Sequence, residues 1–301
     1  MPVDAIITYV VAMIVSGSIG LFVTEAGVPA LYAVFARCAI GAVALLGYCL
    51  VTGSFRGVRF TRRAFGLTVL GGLCIVANWV LFFTAFSYTT ITITTVVYHI
   101  QPFILALMGW AVFGDRVTLD QGGWMIVAFG GIVLLTGVGP VAFGPALCAG
   151  VGLAIAASVL YSVASIIAKQ LRAIPPQVTL LIQLTVGSLA TLPLASPGDT
   201  AMSSRALVCI LALGVIHTGG LYVLVYRALQ RLPTTMIAML TFIYPGVAVV
   251  LDVIYYGHVP GLLQVVGIMM ILMANIANAR KWRFWFLGAK RVDLRGSGVA
   301  S

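Results

Sequence analysis

The chain has 301 residues, of which 61% are hydrophobic and only 8% charged, and its formal net charge is +10. A soluble domain carries roughly 25% charged residues, so this composition excludes an ordinary water-soluble globule and places the chain in lipid. The basic excess is not read as a nucleic-acid footprint, because its placement follows the loops of a membrane protein.

Ten apolar runs are long enough for a ~30 Å hydrocarbon core. They lie near residues 5–23, 31–52, 64–86, 91–113, 121–139, 146–169, 177–195, 206–228, 234–256 and 261–279. The first has Asp4 and no basic residue before it, so it reads as a retained helix and not a cleaved signal peptide. Connections are short and marked by Gly53, Gly114, Pro140, Pro175, Pro176, Pro197, Gly198, Pro233 and Pro260, leaving no loop to house a soluble domain. From Arg280 the tail carries Trp282, Phe284, Trp285 and Phe286 among basic residues, the pattern of an interfacial anchor. Cys38, Cys49, Cys74, Cys148 and Cys209 stand singly within apolar runs, without metal-ligand or disulfide spacing, and read as small core residues.

Lys and Arg set the orientation. One side of the membrane receives Arg56, Arg59, Arg62, Arg63, Arg116, Lys169, Arg172, Arg227 and Arg231. With the six basic residues from Arg280 onward these make fifteen, against Arg205 alone on the other side. The positive-inside rule then puts both termini in the cytoplasm.

Pro102 and Pro245 interrupt the fourth and ninth runs, and the interval between them is 245 − 102 = 143 residues. A proline removes one backbone hydrogen bond and frees the carbonyl four residues back, here on Tyr98 and Thr241. Such freed groups are tolerated at membrane depth where protein or a wet cavity receives them. The same shift, without gaps, superposes Gly71 on Gly214, Ala85 on Ala228, Gly114 on Gly257, Leu119 on Leu262 and Gln121 on Gln264. The chain therefore reads as two repeats, 1–143 and 144–279, followed by a cytoplasmic tail at 280–301. Five helices per repeat is an odd number, so the second repeat is inverted. The fold class is an all-α polytopic membrane protein of ten transmembrane helices, and inverted repeats with interrupted helices are the architecture of secondary transporters.

These residues resemble the EamA-type repeats of the bacterial drug/metabolite transporter superfamily. The similarity is carried by Arg37, Ala39, Gly41 and Ala42, by the two proline helices, and by the turn Gly114-Asp115-Arg116-Val117-Thr118 with Leu119 and Gln121. Gly122, Gly123, Gly130, Gly131 and Gly267 also fit. Two positions differ from the family pattern: Ser16-Gly17-Ser18 stands where a Trp-Gly pair is frequent, and His258 replaces the acid of the second turn. The resemblance implies an exporter of small metabolites in the bacterial inner membrane, with amino-acid export the best populated branch.

Thr94, Tyr98 and Gln101 share one face of the fourth helix, and Thr95, His99 and Pro102 the next. Thr241 and Tyr244 flank the second proline. Asn78 and Trp79 lie in the third helix, Tyr222 with His217 and Tyr226 in the eighth, and Ser158, Tyr161, Ser162 and Ser165 in the sixth. Hydroxyls often bond their own helix, whereas Asn78, His99 and Gln101 demand partners inside a membrane. The expected substrate site is an aromatic ring of Trp79, Tyr98, Tyr161, Tyr222 and Tyr244, with Asn78, His99, Gln101, Ser158, Ser165 and Thr241 as neutral polar groups. The carbonyls freed at Tyr98 and Thr241 are expected to receive an ammonium group, and Asn78 or Gln101 to donate to a carboxylate. Pro102, Pro245, Arg37 and Asp252 are expected to gate, with Arg37 pairing Asp252 in the outward-closed state or snorkelling to Glu25.

The first helix has acids only at its ends, Asp4 and Glu25, which disfavours cationic drugs. Arg37 and Lys169 lie toward helix ends, which disfavours organic phosphates. No nucleophile–base set or His-Glu-x-x-His run supports an enzyme. The expectation is a carrier of small neutral or zwitterionic metabolites, most of all aromatic and other neutral amino acids, working by alternating access without cofactor or metal. It would be a monomer or weak dimer in the lipid bilayer with no nucleic-acid partner. A lipid flippase or channel-like facilitator is the alternative.

Overall fold

The computed structural model describes residues 3–137, 144–196, 202–257 and 259–283. His258 and the tail aromatics Phe284, Trp285 and Phe286 lie outside the described residues. All regular structure among the described residues is helical. Among the described residues ten helical spans are long and apolar enough to cross a membrane: α1 (Val3–Ala26), α2 (Ala30–Thr52), α3 (Arg62–Ala85), α4 (Ile93–Phe113), α5 (Leu119–Thr136), α6 (Pro145–Gln170), α7 (Pro176–Leu194), α8 (Ser204–Leu229), α9 (Thr234–Tyr256) and α10 (Leu262–Ala279).

The positions matched by the 143-residue shift have local structural reasons. Gly114 and Gly257 end α4 and α9 in the left-handed conformation, with φ of 70° and 71°, which costs glycine nothing sterically. Four and seven residues on, the side-chain Oε1 of Gln121 accepts from the Thr118 backbone N–H at 3.0 Å. Gln264 does the same for the Gly261 N–H at 3.0 Å. Both glutamines thus close the first turn of a helix, α5 and α10, whose orphan donors need acceptors.

Helix packing follows a two-fold pattern between repeats. The pairs α2–α7, α4–α9 and α5–α10 each join equivalent helices, while α3 lies along α6 as α8 lies along α1. An isologous interface has this form, here built within one chain. One core cluster joins α1, α2, α3, α6, α7 and α8 and includes Tyr9, Trp79, Leu184, Tyr222 and Tyr226. A second joins α4, α5, α9 and α10 around Met125, Ile132, Phe242 and Ile271. The α5–α10 crossing is close: a Cβ placed on Gly267 would stand 2.5 Å from the Gly131 carbonyl oxygen. Small residues permit such backbone approach in membranes, where packing rather than water drives association. Four of the cysteines are buried as expected, but Cys148 is exposed, because it sits on the outer face near the start of α6.

Four spans are irregular. α1 breaks at Ser18, α4 at His99–Ile100, and α9 at Phe242. α8 carries a π-helical turn at Val215–Gly220.

Candidate functional site

The breaks in α4 and α9 are related by the repeat, since His99 and Phe242 are 242 − 99 = 143 residues apart. Pro102 lies in the first turn of the resumed helix, where its missing N–H costs least. The Tyr98 carbonyl it frees does not stay open. Ser158 Oγ on α6 lies 3.0 Å from it and 2.9 Å from Ala154 O, sharing one proton between the two. Ser162 does likewise with Gln101 O at 3.3 Å and Ser158 O at 2.9 Å. The expectation that the Tyr98 carbonyl receives a substrate ammonium is therefore corrected: a serine from the facing helix already caps it. In α9, Thr241 Oγ1 donates to Ile237 O at 2.8 Å, so Tyr9 OH is the donor in its 2.8 Å bond to Thr241. Ser165 bonds only the Tyr161 carbonyl of its own helix, at 2.8 Å.

Around the α4 break the expected aromatic residues meet. Tyr98 packs 6.5 Å from Tyr161, His99 packs 5.2 Å from Tyr244, and Trp79 packs edge-on 5.6 Å from Tyr222. Phe82, which the sequence reading passed over, lies 4.6 Å from Tyr98. Tyr161 and Tyr244 pack against the core cluster that holds Trp79 and Tyr222. Tyr98, Tyr161 and Tyr244 remain half-buried, whereas the polar groups beside them are fully enclosed.

Those polar groups divide sharply. Asn78 spends both amide protons, on Tyr98 OH at 3.1 Å and on Ala157 O at 2.8 Å. It supports the site and has no proton left for a substrate carboxylate, which leaves Gln101 of the two expected donors. His99 donates from Nδ1 to Thr95 O at 2.6 Å, which leaves Nε2 as a bare acceptor. His99 Nε2, Gln101 Nε2 and Thr94 Oγ1 are buried without a partner among the described residues. Buried polar atoms rarely go unsatisfied unless water or a ligand serves them, and all three cluster at the α4 break.

Arg37 is 4% exposed and meets neither Asp252 nor Glu25, so both expected pairings are corrected. Its Nε donates to Thr218 Oγ1 at 2.9 Å, Nη2 lies 3.5 Å from His217 O, and the guanidinium stacks 4.2 Å over Trp79. The physical reason is the π turn of α8. Its widened loop brings His217 Nδ1 to Ala212 O at 3.1 Å and Thr218 Oγ1 to Leu213 O at 2.7 Å, five residues back. It also presents the His217 carbonyl and the Thr218 lone pair to α2. His217 Nε2 lies 2.8 Å from Ser18 Oγ, whose hydroxyl also faces Val15 O at 2.8 Å, at the break in α1. Glu25 instead binds Arg205 and the Tyr256 hydroxyl at one end of the bundle.

At the opposite end Arg231 pairs with Asp4, and Lys169 pairs with Asp115 at 2.9 Å. A recess of about 410 Å³ opens there, lined by Asp4, Thr8, Pro176, Arg227, Gln230 and Arg231.

Comparison with known proteins agrees with this architecture. The EamA-like transporter family matches residues 4–137 and 149–278. The chain is 31% identical over 270 residues to the "Uncharacterized transporter YxxF" of Bacillus subtilis (strain 168), covering 89% of this chain and 86% of the relative. It is 25% identical to "Uncharacterized transporter YwfM" of the same organism, covering 86% of each. A solved structure described only as "Crystal structure of protein" superposes with a TM-score of 0.83 at 17% identity, over 93% of this chain and 98% of that one. Two matched halves, ten apolar spans and a two-fold helix arrangement coincide: the chain belongs to the EamA-like transporter family of multi-pass membrane proteins.

Proposed function

We propose that the protein exports small neutral or zwitterionic metabolites, foremost aromatic and other neutral amino acids with apolar side chains. The observation that carries this reading is the set of unpartnered polar atoms at the α4 break, His99 Nε2 and Gln101 Nε2, set among Tyr98, Tyr161 and Tyr244. Aromatic walls with a few placed polar groups suit a small organic solute. His99 Nε2 accepts from the solute ammonium, and Gln101 Nε2 donates to a polar oxygen. No carboxylate stands among these groups, which matches a solute without net positive charge.

The ion pairs at both ends favour a carrier over an open pore. Asp4–Arg231 and Asp115–Lys169 tie helices together at one end, Glu25–Arg205 at the other. Alternating access then consists of breaking one set while the other holds, the broken helices α4 and α9 rocking around the site between them. We place both termini and the Asp4 end in the cytoplasm, following the basic residues. A thermal-shift panel of the purified protein against the amino acids checks the substrate class. Stabilisation by phenylalanine, tryptophan or methionine, and none by lysine or glutamate, is expected. Stabilisation by lysine alone would contradict the reading.

A further inference from the structure

We propose that Arg37 is the anchor for the carboxylate of the transported solute, an assignment that rests on the amino-acid reading above and fixes which end of the solute meets which wall. Two cationic side chains are buried among the described residues, Arg37 and Lys169. Lys169 is neutralised by Asp115 at 2.9 Å. No carboxylate among the described residues pairs with Arg37, and a buried charge without a counter-charge is costly. An anionic solute group arriving there removes that cost.

The neighbours of Arg37 hold it in place without cancelling it. Thr218 spends its own proton on Leu213 O, so its lone pair accepts the Nε–H of Arg37 at 2.9 Å. The His217 carbonyl lies at the longer distance of 3.5 Å from Nη2. Trp79 supplies a ring face at 4.2 Å. All three are neutral. A guanidinium has five donors in a planar fork that fits a carboxylate through two parallel bonds, and these contacts engage only Nε and one terminal nitrogen.

Trp79 links Arg37 to the tyrosine cluster. The ring on which the guanidinium stacks packs edge-on against Tyr222 at 5.6 Å. Tyr161 and Tyr244 pack against the core cluster that holds Trp79 and Tyr222. A solute whose carboxylate sits on Arg37 therefore lays its apolar part along Trp79 and Tyr222. Arg37 takes over the role first expected of Asn78, whose protons are spent.

The test uses three compounds that share one ring: phenylalanine, 3-phenylpropionate, which lacks the ammonium, and 2-phenylethylamine, which lacks the carboxylate. Binding of each to the full-length protein in detergent is measured by calorimetry for wild type, Arg37→Gln, Arg37→Lys and Thr218→Val. Wild type is expected to bind phenylalanine and 3-phenylpropionate, and 2-phenylethylamine about tenfold more weakly. Arg37→Gln abolishes that preference, Arg37→Lys retains part of it, and Thr218→Val reduces it with the charge in place. A folded Arg37→Gln protein that keeps both its phenylalanine affinity and its preference overturns this inference and leaves the amino-acid reading standing. Should Arg37→Gln not fold, a wild type that binds 2-phenylethylamine as well as 3-phenylpropionate, or an unchanged preference in Thr218→Val, overturns it as well. A wild type that binds none of the three overturns both readings.

Discussion

Lys169 Nζ lies 2.9 Å from Asp115 Oδ2, and that same oxygen accepts from the backbone N–H of Thr234 at 2.8 Å and its hydroxyl at 2.7 Å. Lys169 also donates to Leu232 O at 2.9 Å. One carboxylate thus fastens the end of α4 to the end of α6 and the start of α9, across the seam between the repeats. Replacing Asp115 by Asn leaves a buried lysine without its counter-charge and weakens a helix cap, at a cost of about 3 kcal/mol. Unfolding midpoints of Asp115→Asn and of Asp115→Asn with Lys169→Met check this. The double variant should recover part of the loss, because the stranded charge is gone.

The same carboxylate sets a pH dependence. Burial pushes the Asp115 carboxyl up, but the Thr234 N–H, Lys169 and the Thr234 hydroxyl together outweigh it and hold the group below its ordinary value. A carboxyl with a lowered folded value contributes stability above the unfolded range and loses it as pH falls through the folded value. Thermal stability of the wild type in detergent should therefore decline below about pH 4, and Asp115→Asn should flatten that decline. An equally steep acid limb in the variant would show that another group is responsible.

The α5–α10 crossing gives a packing test. A Cβ on Gly267 would meet the Gly131 carbonyl at 2.5 Å and the Leu135 backbone nitrogen at 2.9 Å, so backbone must move. Gly267→Ala should cost about 1–3 kcal/mol, as overpacking does. Gly246, with nothing within 4 Å of its Cβ position, should accept alanine within about 0.5 kcal/mol. Denaturation of the two variants side by side separates contact from mere helix propensity.

Asn78 and Gln101 should part company. Asn78→Ala strips Ala157 O and Tyr98 of their partner and should lower stability by about 1–3 kcal/mol. Gln101 Nε2 bonds nothing among the described residues, so Gln101→Ala should remain folded and lose transport instead. Melting curves together with uptake assays distinguish the two.

The sequence made the frame legible and the wiring illegible, for definable reasons. The ten spans followed from apolar length, and the 143-residue register found Gly114, Gly257, Gln121 and Gln264, whose roles are local: a left-handed φ and a first-turn cap. Pro102 flagged the α4 break because its missing N–H is written in the residue itself. The π turn of α8 and the Ser18 break carry no such mark, and the repeat register runs through residues 215–220 without a gap. Arg37 was noticed for its charge, but its partners lie 180 and 181 residues away and depend on how α2 and α8 cross. A candidate aromatic ring could be named from helix faces. Which amide was spent and which was free could not, because the partners of Asn78, Ala157 and Tyr98, come from other helices.

Orientation has its own check. A single cysteine at position 59, in a background lacking the five native cysteines, should resist membrane-impermeant maleimide in intact cells, and one at position 27 should react. Labelling at 59 from outside would reverse the proposed topology.

The most direct measurement is counterflow in proteoliposomes loaded with unlabelled phenylalanine and supplied with labelled phenylalanine outside. A carrier with the site between its two gates should accumulate label transiently above equilibrium, with competition by tryptophan and methionine and none by lysine. Accumulation should fall at least severalfold in Gln101→Ala. Flux that never overshoots, or an overshoot that Gln101→Ala leaves intact, would contradict a fixed amino-acid site at the broken helix.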